Sequence, residues 1–190
     1  MNEDNIKTLE NNVNNSEDNK EEKIKVLIAD DVEIIAKTIK NILIKDNRLE
    51  VLESANNGTE EYERILELKP NLVITDNQMP ELNGIDVIEK IYNLDIQDKP
   101  TFIMITGDAF NLELRNKANE FNIFRIIKKP VDEVILKDTI EEFIIDMTEK
   151  NKENQFDKSK NAMLEIKDIE KQESFWKRVL KFFGIIKNTN

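Results

Sequence analysis

The chain of 190 residues contains no histidine and no cysteine. Without histidine there is no imidazole to serve as a general base, to activate a serine or thiol, to bind a metal, or to carry a phosphoryl group. Without cysteine there are no disulfides and no thiolate metal sites, a composition compatible with a reducing compartment. No apolar run approaches the ~18 residues needed to cross a bilayer, and the first residues lack the apolar centre of a secretion signal. The sequence therefore reads as that of a cytoplasmic, soluble protein. Any functional site has to be assembled from carboxylates, hydroxyls, amides and lysines.

What the chain has in excess is negative charge, −11 in all, and it is unevenly placed. Residues 1–22 hold seven acids against two lysines, whereas residues 171–190 hold five cations against one glutamate. An acidic body repels phosphate backbones, so direct nucleic-acid binding by the main domain is not expected. Residues 1–22, dense in Asn, Glu and Asp, bury too little apolar surface to offset the entropy of ordering and read as a disordered tail.

From residue 23 to 147 short apolar runs alternate with helical spacing. The runs are Ile24–Ala29, Leu49–Leu52, Leu72–Thr75, Phe102–Ile105 and Ile123–Ile127. Between the first two, Ile34, Ile35, Ile39, Ile42 and Leu43 recur as one inward stripe. Thr59 is placed to cap the second helix and Pro70 to stop it. A last helix opens at Val131 or Asp132, with Val134, Ile135, Ile140, Phe143 and Ile144 inward. Five βα units with short loops predict an α/β fold, a parallel sheet with helices on both faces. Residues 148–170 read as a polar linker and residues 171–190 as a basic amphipathic helix.

In such sheets chemistry gathers outside the carboxyl ends of the strands. Those ends carry Asp30 and Asp31 after the first strand, Asp76 after the third, Thr106 after the fourth and Lys129 after the fifth. Taken singly each has a plain reading: paired acids as a cap and a solvated neighbour, the threonine as a turn residue, Lys129-Pro130 as the start of a helix. Together, three carboxylates at one edge repel unless a cation lies among them, and without His or Cys the fitting cation is hard and oxygen-preferring, Mg²⁺ first. A hydroxyl and an ammonium complete a frame for a phosphoryl group, with an aspartate as the nucleophile to receive it.

With Asp-Asp after the first strand, the loop Asp76-Asn77-Gln78-Met79-Pro80 leading to Gly84, Thr106, and Lys129-Pro130, residues 23–147 resemble a response-regulator receiver domain of two-component signalling, of the stand-alone type. The resemblance implies a flavodoxin-like, doubly wound, five-stranded parallel sheet of order 2-1-3-4-5. It implies Asp76 as phosphoacceptor, and Mg²⁺ held by Asp30, Asp31, the Asp76 carboxylate and the Gln78 backbone carbonyl. It further implies Thr106 and Lys129 as contacts to the phosphoryl group, with Lys128 a solvated neighbour and the Lys129–Pro130 bond cis. The position three before Lys129, commonly aromatic in the family, is Ile126, so an aliphatic repacking of the fourth helix and fifth strand is the expected substitute for the family's threonine–aromatic relay.

The implied function is that of a phosphorelay phosphoacceptor fed by a sensor histidine kinase or a histidine phosphotransfer protein, signalling to an output partner protein rather than acting as a metabolic enzyme. Two enzyme families that share parts of the pattern fit less well. A haloacid-dehalogenase-type phosphatase wants a second acid where Gln78 stands, and a flavodoxin wants a phosphate loop where Asp30-Asp31 would repel it. A different class of function, a receiver-fold adaptor that is not phosphorylated, is the alternative. For residues 171–190, where Phe175, Trp176, Val179, Leu180, Phe182, Phe183 and Ile186 oppose Lys177, Arg178 and Lys181, three readings stand open: peripheral membrane contact, docking in a partner's groove, or packing onto the chain's own apolar surface.

Overall fold

The structure, a computed structural model, describes residues 22–107 and 112–182. The expected acidic tail, save Glu22, lies outside these residues, as does the end of the basic segment from Phe183. The described chain divides into two compact units, one ending at Lys137 and the other beginning at Asp138.

The first unit is a five-stranded parallel sheet of β1 (Ile24–Ala29), β2 (Leu49–Val51), β3 (Leu72–Asp76), β4 (Thr101–Thr106) and β5 (Arg125–Lys128), in the order β2-β1-β3-β4-β5. This is the order the resemblance implies. The central strands are buried along almost their whole length, as parallel strands covered on both faces must be. Their alternation splits the core. Leu27, Val73, Phe102 and Met104 face a cluster completed by Ile65, Ile85, Ile88, Ile91, Leu114 and Phe121, while Ile28, Ile74 and Ile103, equally buried, point to the opposite face.

Helices α1 (Glu33–Leu43), α2 (Gly58–Leu68), α3 (Gly84–Tyr92) and α4 (Leu112–Glu120) connect the strands, and α5 (Glu133–Phe182) follows β5. The inward stripe of α1 is Ala36, Ile39, Ile42 and Leu43. Ile34, expected inside, is 69 % exposed because it lies two residues, about 200° of helical rotation, from Ala36. Val134 and Ile135 at the start of α5 are likewise exposed, and Leu136 is the buried residue of that turn.

The cap of α2 is Asn57 rather than Thr59: Asn57 Oδ1 accepts from the Glu60 amide at 2.7 Å, and Glu60 reaches back to the Asn56 amide at 2.8 Å. β5 begins two residues later than expected, because Asn122 takes a left-handed conformation after α4 and Ile123 donates back to the Ala118 carbonyl at 2.9 Å.

The second unit is the remainder of one continuous helix. Residues 148–170, expected as a polar linker, are helical throughout, within an element of 50 residues. Between Pro130 and Gly184 there is neither proline nor glycine, and Glu, Lys and Gln are good helix formers, so nothing in this stretch interrupts the helix. Phe156, Met163, Leu164 and Phe175 are exposed on it. Among the described residues no helix is long and apolar enough to cross a membrane.

Candidate functional site at the carboxyl edge of the sheet

Strand register assembles the site. Ala29 is level with Thr75, so Asp30 and Asp76 leave adjacent strands side by side. Asp76 is level with Ile105 and Thr106 with Lys128, which sets Thr106 and Lys129 at the same edge on the next two strands. Lys129 N donates to the Thr106 carbonyl at 2.8 Å, and Asn77 N to the Ile105 carbonyl at 3.1 Å, so pairing extends past the strands into the loops. The Lys129–Pro130 bond is cis.

Asp30, Asp31 and Asp76 each bring a carboxylate oxygen within 4.8 Å of the others. Asp30, Asp76 and Thr106 are buried, whereas Asp31 is exposed and opens the cluster to solvent. Lys129 Nζ reaches in from β5, 2.6 Å from Asp76 Oδ2 and 3.0 Å from Asp30 Oδ2. The other oxygens are held by backbone: Asp76 Oδ1 accepts from Gln78 N at 3.2 Å and Asp30 Oδ1 from Val32 N at 2.9 Å. The sequence-predicted residues Asp30, Asp31, Asp76, Thr106 and Lys129 thus share one edge, and the Gln78 backbone is tied to the Asp76 carboxylate while its side chain is exposed.

Electrostatics follow from this packing. Burial pushes the Asp30 carboxyl above its ordinary range; the Lys129 ammonium and the Val32 amide pull the other way, and the neighbouring Asp76 adds to the rise. For Lys129 burial works against the charge, but the hydrogen bond to Asp76 and the ion pair with Asp30 outweigh it and hold the ammonium above its usual value. One lysine therefore serves two acids.

Two glycines let the Asp76 loop sit where it does. A Cβ on Gly84 would come 2.4 Å from the Asp76 carbonyl oxygen and 2.7 Å from Thr75 Oγ1. A Cβ on Gly58 would meet the Leu82 carbonyl at 2.1 Å, so the first turn of α2 abuts the same loop. Asn77 closes the loop, its carbonyl accepting from Gly84 N at 3.2 Å and its side chain from Ile85 N at 3.3 Å.

Behind the loop lies a pair that the sequence reading passes over. Glu61 of α2 is fully buried, and its Oε2 is 3.0 Å from Thr75 Oγ1, on the residue before Asp76. The available signal was its place on the inward stripe of α2, one turn before Ile65.

The residues present fit a hard divalent cation. All the donors are oxygens, two buried acids and an exposed one converge, and Asp30 Oδ2 is buried with no directed hydrogen bond, its contact with Lys129 being an ion pair only. Among the described residues no other group of three acids converges in this way.

Residues 26–141 match the response regulator receiver domain family. A protein-glutamate methylesterase/protein-glutamine glutaminase of Methanococcus maripaludis is 35 % identical over 116 residues, 60 % of this chain and 31 % of that protein. A protein of Vibrio cholerae described as an uncharacterized response regulatory protein is 30 % identical over 122 residues, 64 % of this chain and 48 % of its own length. The chain thus spans about a third of the methylesterase relatives it matches. Among solved structures, a CheY-like response regulator receiver domain protein of Methanospirillum hungatei superposes with a TM-score of 0.61 at 28 % identity, over 68 % of this chain and 99 % of that one. Strand order, the acid–lysine edge and these matches agree, and the chain belongs to the response regulator receiver domain family.

Proposed function

We propose that this chain takes a phosphoryl group from the phosphohistidine of a sensor kinase or phosphotransfer protein onto Asp76 and passes the change on through protein contacts. The observation that carries the proposal is the ion triad of Lys129 with Asp76 and Asp30, at the one edge where a threonine and a third acid also stand. An Asp76 carboxylate oxygen attacks phosphorus, the bond from phosphorus to the imidazole nitrogen breaks, and the nitrogen keeps the electron pair. The product is an acyl phosphate on Asp76. Lys129 neutralises charge on the phosphoryl oxygens, and the Thr106 hydroxyl donates to one of them.

Asp30, Asp31, the Asp76 carboxylate and the Gln78 carbonyl would hold Mg²⁺, which, when bound, screens the charge of the incoming phosphoryl group. Val32 and Ile34 expose apolar surface directly after the acidic pair, which suits docking of the donor protein. On the other side an open groove lined by Thr106, Arg115, Phe124, Ile126 and Lys128 offers the output partner a surface that begins at the site. Ile126, level with Met104 and partly buried against the core, would take the place of an aromatic switch residue.

Incubation of the intact protein with acetyl phosphate and Mg²⁺ tests the reading: one phosphoryl group per chain is expected, lost in Asp76→Asn. Failure of the unsubstituted protein to take up label or to bind fluoroberyllate would favour the unphosphorylated adaptor.

For the basic segment we infer peripheral membrane contact, because its cations lie beside a broad aromatic and aliphatic sequence face. Deleting residues 171–190 should abolish sedimentation with anionic liposomes, and equal sedimentation of both forms would contradict it.

A further inference from the structure

We propose that Glu61, as a neutral acid acting through the Thr75 hydroxyl, is a positioning residue for the phosphoryl acceptor Asp76. The inference rests on the reading of Asp76 as the acceptor and adds a residue from a different helix to its machinery.

Glu61 is 0 % exposed, and its Oε1 has no hydrogen-bond partner. An ionised carboxylate so placed would be left with a buried, unpaired oxygen, which is costly in a way a neutral carboxyl is not. Burial raises its pKa to about 8, with the Thr75 hydroxyl acting in the opposite sense. No charged side chain on β1, β3 or α3 enters into that shift.

The geometry of Thr75 points the same way. Its Oγ1 lies 3.0 Å from Glu61 Oε2 and 3.2 Å from the Asp76 carbonyl oxygen. A carbonyl can only accept, and a threonine hydroxyl has one proton to give. When that proton goes to the Asp76 carbonyl, the contact with Glu61 is made by a proton on Glu61. The result is a directed chain, Glu61 to Thr75 to Asp76, running from α2 into the end of β3. If Glu61 ionised, it would draw the hydroxyl proton to itself and the Asp76 carbonyl would lose its donor.

Gly84 presses on the same two oxygens. Its backbone lies so close to Thr75 Oγ1 and the Asp76 carbonyl that no Cβ would fit, which leaves the chain little room to rearrange. The peptide plane of Asp76 is therefore set from three elements, and the carboxylate it carries must lie in line with an incoming phosphorus. Small displacements of a reacting group are expensive in rate.

The test compares initial rates of phosphoryl uptake from acetyl phosphate, with Mg²⁺, in the full chain. Glu61→Gln keeps a donor for Thr75 and should hold the rate of the unsubstituted protein. Glu61→Met and Thr75→Val, which keep volume but remove the chain, should each slow uptake at least ~10-fold, and no further when combined. Thr75→Ser should recover the rate. Above pH about 8, where Glu61 ionises, the unsubstituted protein should slow relative to Glu61→Gln.

A Glu61→Met protein at full rate, a Glu61→Gln protein as slow as Glu61→Met, multiplying effects in the double variant, or a rate ratio flat with pH would each overturn the proposal. Thermal melting reports whether Glu61→Met folds, and if it does not, the near-isosteric Thr75→Val decides by the same rate. Uptake in the unsubstituted protein that is indifferent to every substitution overturns this inference alone. No uptake at all overturns the Asp76 reading and this inference with it.

Discussion

Asp30 and Glu61 are both buried acids packed behind the carboxyl end of the sheet, 1 % and 0 % exposed, yet they face different partners. Asp30 looks into the edge cluster, where an ammonium stands 3.0 Å away and a backbone amide holds its other oxygen. Glu61 looks into the interior, where among the described residues the Thr75 hydroxyl is the one hydrogen-bond partner of its carboxyl group and the second oxygen has none. Burial raises both pKa values, but around Asp30 it is opposed by charge, and around Glu61 by a single hydroxyl, so Glu61 climbs to about 8. The difference is between an acid kept where charge can be used and an acid kept neutral as a hydrogen-bond donor. Both side chains are closed to solvent, but Asp30 lies at the edge beside an ammonium and Glu61 lies deeper with no charge beside it, so depth and counter-charge together separate them.

The largest effect expected from breaking this contrast is at Lys129. Lys129→Met removes the cation shared by Asp76 and Asp30 and should slow phosphoryl uptake on the order of 100-fold or more, as loss of a charge-stabilising donor does elsewhere. Uptake within a few-fold of normal would mean that Lys129 serves packing rather than chemistry.

Next comes the pH dependence of stability. The folded pKa of Glu61, about 8, lies above its ordinary value of 4.5, so the unfolded chain ionises first. Stability held below pH 4.5 is then lost as pH rises toward 8, at about 1.4 kcal/mol per pH unit at most. Glu61→Gln removes that slope, and its advantage over the unsubstituted protein should reach on the order of 3 kcal/mol by pH 7. Urea melts at pH 5, 6 and 7 measure this, and parallel curves for the two proteins would show that Glu61 is charged in the fold.

A smaller loss is expected from Gly84→Ala. Its Cβ would press on the Asp76 carbonyl and on Thr75 Oγ1, costing about 1–3 kcal/mol by overpacking and lowering uptake alongside stability. The mildest change is Asp31→Asn at the exposed corner of the cluster. On the proposed Mg²⁺ site it should reduce the rise in Tm that Mg²⁺ produces while leaving the metal-free Tm nearly unchanged, because this acid is exposed and at the corner of the cluster.

Much of the edge is legible in the sequence, because each site residue closes a short apolar run and parallel strands end together. Asp30, Asp76, Thr106 and Lys129 needed only that logic to meet. Glu61 was hidden by the same logic: periodicity counts glutamate as an outward residue, and an acid on an inward stripe breaks the pattern instead of declaring a role. Ile34, Val134 and Ile135 show the converse, apolar residues that pattern places inside and packing leaves in solvent. The segment 148–170 shows a third ambiguity. A solvated helix and a polar linker share a composition, and what distinguishes them here is the absence of proline and glycine from Val131 to Phe183.

The most direct test of the acceptor is peptide mapping after brief exposure of the intact protein to a phosphohistidine donor with Mg²⁺. The cluster of Asp30, Asp31 and Asp76 with Lys129 predicts a single hydroxylamine-labile phosphoryl group on Asp76, absent in Asp76→Asn. A phosphoryl group on another residue, or equal labelling of the Asp76→Asn protein, would contradict it.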